Sequence, residues 1–386
     1  MSFKKNKYIP YAKQCISNKD ITEVLKVLKS DYITQGPIVK DFEEALAHYA
    51  GTKYAVCVSN GTAALHCAVA AAKIKRDDEI ITSPITFAAS GNCALFCDAK
   101  VKFADIKQDT YCIDYEKVET AISKHTKAII PVDFSGQPCD MDEINRISRK
   151  HGLITIHDAA HSLGASYKGK LIGSLAAMTI FSFHPAKNIT TGEGGAILTN
   201  NKSFYKKLLL LRNHGITRDS KDIPRAKQAP WYYEMQMLGF NYRISDIQCS
   251  LGLSQLKKLD FFIAKRRNIA EEYNKAFSNC PYLLVPYQEK DRKSAWHIYV
   301  LQLRLNKMKK TRRKVFEQLR AKNIGVQVHY IPLHLQPYYR KRFGYRKGDF
   351  PCAEKFYESA LTIPLFPSLK NRDVNRIIDA VLQVVC

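Results

Sequence analysis

Between about residues 38 and 255 short runs that are apolar at almost every position alternate with segments of helical period, and this alternation narrows the possible folds more than anything else in the chain. The runs are Tyr54-Ala55-Val56-Cys57-Val58, Glu79 to Thr82, Val101 to Ala104, Ala128 to Val132, Leu153 to Ile156 and Met178 to Phe181. Between them lie helical patterns at Thr62 to about Ala72, Phe87 to Phe96, Tyr115 to Ser123 and Asp142 to Lys150, with Phe42 to Tyr49 ahead of the first. A strand with one face in water alternates apolar and polar residues. One that is apolar throughout needs cover on both faces, which intervening helices supply. The spacing therefore predicts an α/β fold with a mainly parallel central sheet. Gly194-Gly195 followed by Ala196 to Thr199 adds a strand near the sheet edge. No period of 20–50 residues recurs, which excludes a solenoid.

After Gly252 the texture changes. A basic helix is expected from about Leu256 to Phe277 as a connector. Residues 296 to 386 then mix strand (Ile298 to Leu303), helix (Arg312 to Lys322) and strand (Gly325 to His329). Thr311 is placed to cap that helix and Asn323 to end it in a left-handed conformation. The expected division is a segment 1–36, a large domain 37–255 and a smaller α/β domain 256–386. A chain of 386 residues buries enough surface to need no disulfide. Its eleven scattered cysteines contain no C-x-x-C pair and fit a reducing compartment. With no signal-like opening and no membrane-length apolar stretch, a soluble cytoplasmic protein is expected.

In an open parallel sheet ligands sit beyond the carboxyl ends of the strands, and four groups fall there. Ser59-Asn60-Gly61-Thr62 is a strand–turn–helix junction. It is either an ordinary capped turn or a phosphate site built from Gly61, the Thr62 hydroxyl and free helix amides. His157-Asp158-Ala159-Ala160-His161 follows a buried strand, where an acid is costly without a partner. It reads as a capping aspartate, a metal site, or a carboxylate holding a protonated heterocyclic nitrogen. Ser182 to Gly195 carries Lys187 in a Pro- and Gly-edged loop, where burial would turn an ordinary surface lysine into a nucleophile able to form a Schiff base. Gly239 to Gln248 contains Asn241 and Arg243, either a helix cap or polar contacts to a neighbouring subunit's ligand. Together the first three supply what pyridoxal 5'-phosphate (PLP) demands: an amine, an acid for the pyridine nitrogen, and hydroxyls with amides for the phosphate. Phe87 is placed to stack on the ring or to sit in the core.

These motifs, in this order, resemble the DegT/StrS-type nucleotide-sugar aminotransferases, a branch of the fold-type I, aspartate aminotransferase-like PLP-dependent transferases. The resemblance runs from Thr34-Gln35-Gly36-Pro37 to Leu361-Thr362-Ile363-Pro364-Leu365 and is most specific from Ser182 to Gly195. Tyr11, Asp31 to Thr34 and Val328 to Tyr339 narrow it to the pseudaminic acid branch. The resemblance implies Lys187 as the Schiff-base lysine and proton carrier, and Asp158 as partner of the pyridine nitrogen. It implies His161 beside the ring hydroxyl, Gly61, Thr62 and Ser182 on the phosphate, and Asn241 reaching in from the second subunit of a homodimer with shared sites. Tyr11, Asp31, Tyr32, Ile33, Thr34, His329, Tyr330, Ile331 and Pro332 would line the nucleotide-sugar cleft, to which segment 1–36 contributes. The implied reaction converts a nucleotide-linked 4-keto-6-deoxy sugar to its 4-amino sugar, with an amino acid donor expected to be glutamate. Sugar 3-dehydratases of this family carry His in place of the lysine, so Lys187 implies transamination. Sugars of perosamine or viosamine type are the alternative substrates.

The 60 Lys and Arg against 36 Asp and Glu invite a different class, a nucleic-acid-binding protein. The densest run, Lys307 to Lys314, has no groove-reading motif beside it, and Val315, Phe316 and Leu319 are spaced to face a core. A solvated helix face is expected, with no nucleic acid or membrane partner. A metal-dependent hydrolase built on His157, Asp158, His161 and His184 is the other rival. Its ligand pattern is incomplete, and no metal is expected.

Overall fold

The apolar runs become seven strands of one sheet: β1 (Tyr54–Val58), β2 (Glu79–Thr82), β3 (Lys100–Phe103), β4 (Thr126–Ile130), β5 (Ile154–Asp158), β6 (Met178–Ser182) and β7 (Gly195–Thr199). A computed structural model describes residues 7–224 and 229–386; the start of segment 1–36 lies outside the described residues. The strand order is β1-β7-β6-β5-β4-β2-β3. The pairings among β6, β5, β4, β2 and β3 are parallel. β7 lies one place in from the edge and runs antiparallel to both β1 and β6. Neighbouring residues of one strand enter opposite cores. Val56 and Val58 pack on one face and Cys57 on the other, as do Ile80 against Ile81 and Ile130 against Ile129. Two buried faces are thus the physical reason for the unbroken apolar runs.

The helices that cover them are α1 (Asn18–Leu28), α2 (Pro37–Ala50), α3 (Gly61–Ala71), α4 (Ala89–Leu95), α5 (Tyr115–Ala121), α6 (Met141–His151), α7 (Lys202–Arg212), α8 (Asp246–Leu256) and α9 (Leu259–Phe277). α3 is buried nearly all round, and its alanines let the backbone sit close to the sheet. The connector expected from about Leu256 to Phe277 is the single helix α9, which starts at Leu259. α8 stops at Leu256, and Lys258 turns its amine to Asp20 and to Ser17 Oγ (3.0 Å).

The second sheet is antiparallel: β8 (Leu283–Leu284), β9 (Tyr299–Leu303) and β10 (Ala360–Ile363), with α10 (Arg312–Ala321), α11 (Pro337–Phe343), α12 (Pro351–Ser359) and α13 (Asn371–Val385) around it. Thr311 caps α10 by accepting from Lys314 N, and Asn323 has φ 60°. Val315 and Leu319 are fully buried, so the basic run does face away from a core. The strand expected at Gly325 to His329 does not form. Ile324 bridges Ile9 and Gln327 bridges Thr362, so two neighbours each take one contact and neither builds a ladder. Gly325 is needed there, since a Cβ would lie 2.7 Å from Ile9 O. All eleven cysteines are free. Among the described residues no helix is long and apolar enough to cross a membrane.

Candidate active site

β1, β5 and β6 end on the same side of the sheet, and their registers place Val58 and Ser182 either side of Gly195. The turns leaving these strand ends enclose one cavity of about 610 Å³. After β1, Asn60 turns the chain and caps α3, its side-chain oxygen accepting from Ala63 N at 2.8 Å. Gly61 then passes so close to β6 that a Cβ would lie 3.0 Å from Ser182 Cβ and 3.2 Å from its Oγ. Only glycine leaves the first turn of α3 open beside the Ser182 hydroxyl, which creates a concavity lined by amides at a helix N-terminus.

After β6 the chain forms a tied loop. Lys187 N donates to His184 O (2.8 Å), Asn188 Nδ2 to Leu163 O (2.9 Å), and Thr190 Oγ1 to Phe183 O (3.0 Å). The lysine is therefore presented by a fixed backbone, half-buried in the cavity wall, and its amine makes no hydrogen bond among the described residues. Burial lowers that amine to about 8, against the opposing attraction of Asp158. Asp158, the last residue of β5, is buried, and its burial raises the carboxyl above its ordinary value. Ser90 Oγ–H, donating to Oδ2 at 2.6 Å, and Ala160 N–H, donating to Oδ1 at 3.2 Å, oppose that rise.

Three imidazoles complete the wall. His161, His297 and His329 all line the cavity, with the first two rings 4.2 Å apart between centroids. Burial, with Lys187 nearby, pushes all three down, His329 to about 4 and the others well below the ordinary histidine value. Three neutral rings thus surround one amine. Tyr330 Oη lies 3.3 Å from His161 Nε2, whereas His161 Nδ1 is buried with no partner among the described residues.

Of the residues expected at the site, Tyr11, Gly61, Thr62, Phe87, Asp158, His161, Ser182, Lys187, His329 and Tyr330 line this cavity. Ile331 lines an adjoining groove of about 740 Å³ that shares Thr86, Phe87, His329 and Tyr330 with it. Pro332 lines neither. Asp31, Tyr32, Ile33 and Thr34 are exposed and lie outside the cavity, pinned to the start of α8 by Asp246 N–H on Ile33 O (3.1 Å). Asn241 is exposed too and bridges Asn213, beside a separate basic cavity that holds Lys40, Arg212, Arg218 and Arg243. His157, one of the proposed metal ligands, lies within the sheet, its Nε2 2.8 Å from Asp133. The cavity also gathers Thr86, Ser90 and His297, which sequence reasoning missed. The polar pair Thr86 and Ser90, spaced i to i+4 across the start of an apolar helix, was the available signal for two of them.

The residues present fit PLP. A glycine-lined helix start stands beside a serine hydroxyl for the phosphate. Among the described residues the wall also carries a buried carboxylate, an imidazole nitrogen without a partner and an unbonded amine.

The fold is of the mixed α/β class, with a large and mostly parallel sheet, that PLP-dependent aminotransferases share. Residues 14–382 match the DegT/DnrJ/EryC1/StrS aminotransferase family, and the chain belongs to that family. It is 46% identical to an uncharacterised protein of Methanocaldococcus jannaschii (98% of each chain) and 41% identical to the spore coat polysaccharide biosynthesis protein SpsC of Bacillus subtilis (99% and 98%). It is 40% identical to the UDP-4-amino-4,6-dideoxy-N-acetyl-β-L-altrosamine transaminase of Campylobacter jejuni, over 98% of this chain and 97% of that one. Among solved structures, PseC of Helicobacter pylori, an aminotransferase of pseudaminic acid biosynthesis, superposes with a TM-score of 0.91 at 33% identity (98% and 99% covered). The sugar aminotransferase Spr1654 of Streptococcus pneumoniae, described as putative and solved in its PLP form, superposes at 0.90 and 30% identity over 98% of each chain.

Proposed function

We propose that the chain uses PLP to aminate C4 of a UDP-linked 4-keto-6-deoxy sugar, forming UDP-4-amino-4,6-dideoxy-N-acetyl-β-L-altrosamine with glutamate as donor. The observation that carries this reading is that an unbonded amine at Lys187 and a buried carboxylate at Asp158 line one cavity, beside a glycine-opened helix start. The relatives in Campylobacter jejuni and Helicobacter pylori support the choice of sugar.

In this reading Gly61, Thr62 and Ser182 would hold the cofactor's phosphate, Asp158 would accept a hydrogen bond from its pyridine nitrogen, His161 would meet its ring hydroxyl and Phe87 would stack on the ring. When bound, PLP supplies a conjugated cationic ring that takes up electrons and so acidifies the carbon beside the amino group. Lys187 Nζ accepts the α-proton of the donor amino acid, and with the sugar in place delivers a proton to C4. An amine near 8 has an accessible neutral form at physiological pH, which this double role requires. The neutral histidines add no positive charge against the ammonium and leave the wall able to exchange hydrogen bonds with sugar hydroxyls.

The division at residues 36 and 255 belongs to the same reading, as does a cytoplasmic homodimer. Ile21, Leu25 and Leu28 leave an apolar stripe exposed on α1, and Trp231, Tyr233, Met235 and Leu238 are exposed after the large sheet. In this reading a second copy covers these surfaces, and Asn241 and the Asp31–Thr34 segment reach its cavity. The basic excess favours a diphosphate-bearing substrate. Identity to SpsC as high as that to the altrosamine enzyme favours a second reading, another keto sugar; perosamine- and viosamine-type sugars are the candidates to test. Purified enzyme is therefore assayed with glutamate against a panel of 4-keto nucleotide sugars. Amination of the UDP-linked L-configured sugar above all others supports the first reading, and preference for a different sugar replaces it with the second. No amination anywhere, in a protein that stays colourless with PLP, defeats both.

A further inference from the structure

Asp158 is not alone in the cavity wall. Ser90 Oγ lies 2.6 Å from its Oδ2, and Thr86 Oγ1 lies 2.7 Å from Ser90 Oγ. All three side chains are buried, at 5% exposure or less. An ionised carboxylate can only accept, so Ser90 must spend its one proton on Asp158. The contact to Thr86 then has a single possible direction, Thr86 donating to Ser90. The chain of donors runs Thr86 to Ser90 to Asp158, and each bond polarises the next. Without it the carboxylate would keep, among the described residues, only the long contact from Ala160 N–H at 3.2 Å, in a position where burial favours the protonated acid.

We propose that Ser90, backed by Thr86, is a positioning residue that keeps Asp158 ionised and in one orientation, and so sets how firmly the cofactor's ring nitrogen holds its proton. This rests on the PLP reading given above. The other titratable groups that face Asp158 are Lys187 from the loop after β6, His157 on β5, Cys93 on α4, His161 across the cavity and Tyr330 from the second lobe. None of them donates a hydrogen bond to the carboxylate in place of Ser90.

The test measures PLP affinity by titration, and the pH dependence of the visible absorbance of the protein–PLP complex, for wild type, Ser90→Ala, Ser90→Thr and Thr86→Val. A hydrogen bond to a charged acceptor is worth enough that Ser90→Ala is expected to weaken PLP about tenfold or more. The same change moves the absorbance titration midpoint. Ser90→Thr, which keeps the hydroxyl, restores both. Thr86→Val, which leaves Ser90 in place, shifts both in the same direction by less, and it decides the matter if Ser90→Ala does not fold. Affinity and midpoint unchanged in Ser90→Ala, with PLP still bound, overturn the role of Ser90 alone. A wild type that binds no PLP overturns the cofactor reading and the role of Ser90 with it.

Discussion

Lys187 and Asp158 reach one cavity from separate strand ends, and each tempers what burial does to the other. Burial lowers the lysine amine to about 8 and raises the carboxyl, and the attraction between the two opposes both movements. The pair therefore offers a base that can lose its proton beside an acid that can stay ionised, which is the division of labour a transaminase needs.

Lys187→Ala is expected to leave a folded protein and to lower turnover by about 10³-fold or more, since general acid–base transfer alone is worth up to about 10⁴. Aminated sugar is quantified by chromatography, and the thermal melt is compared with wild type. Appreciable product from a folded variant would remove Lys187 from the reaction.

The amine also makes a prediction about pH in the cofactor-free protein. Its folded value, about 8, lies below that of an exposed lysine. Between the two the unfolded chain binds more protons, so this group's contribution makes stability rise as pH climbs through that window. Urea midpoints of wild type against Lys187→Met should show the wild type gaining relative stability from about pH 8 to about 10.4. The rate of PLP capture, which needs the neutral amine, should instead rise as pH climbs through about 8 and level off above it.

Gly61→Ala places a Cβ 3.0 Å from Ser182 Cβ. The substitution is expected to weaken PLP by about tenfold through the phosphate cradle while costing about 1 kcal/mol of stability. A titration with PLP and, separately, with inorganic phosphate separates cradle damage from a general loss of fold.

Arg266, fully buried on α9, faces no carboxylate among the described residues. Its guanidinium donates instead to Trp296 O (3.3 Å), His297 O (3.1 Å) and Leu365 O (3.0 Å). It thereby ties α9 to the backbone of a cavity histidine. Arg266→Met, similar in volume, strands those carbonyls and is expected to cost about 2–4 kcal/mol in urea unfolding, with a weaker hold on PLP. A variant as stable as wild type would show that water replaces the guanidinium.

Asn241 lies outside its own chain's cavity, so its proposed contribution is testable by mixing. Lys187→Ala and Asn241→Ala, each impaired alone, should regain part of the activity when co-expressed, because one site of a mixed dimer then carries neither change. Light scattering checks the dimer itself. No recovery in a verified mixed dimer would place Asn241 outside the reaction.

What could be read from the sequence was what local pattern determines. Cys57 between Val56 and Val58 announces a strand buried on both faces, Asn60-Gly61 announces the turn, and Thr311 and Asn323 mark the ends of α10. Lys187 and Asp158 were legible because each sits at or just beyond the end of such a strand. What stayed hidden depends on distant segments meeting. Gly325 to His329 has strand-like residues but is shared between Ile9 and Thr362. His297 reads as an ordinary residue before β9 until Gly136 lets the backbone close in, with His297 N–H on Ser135 O at 2.9 Å. Ser90 acquires its role only when α4 packs beside the end of β5.

The most direct measurement is to incubate the purified protein with PLP, reduce it with borohydride, digest it and locate the modified peptide by mass spectrometry. A single phosphopyridoxyl group on Lys187, absent from Lys187→Ala and diminished in Asp158→Asn, is the predicted result. A label spread over surface lysines, or none at all, would contradict the assignment of this cavity to the cofactor.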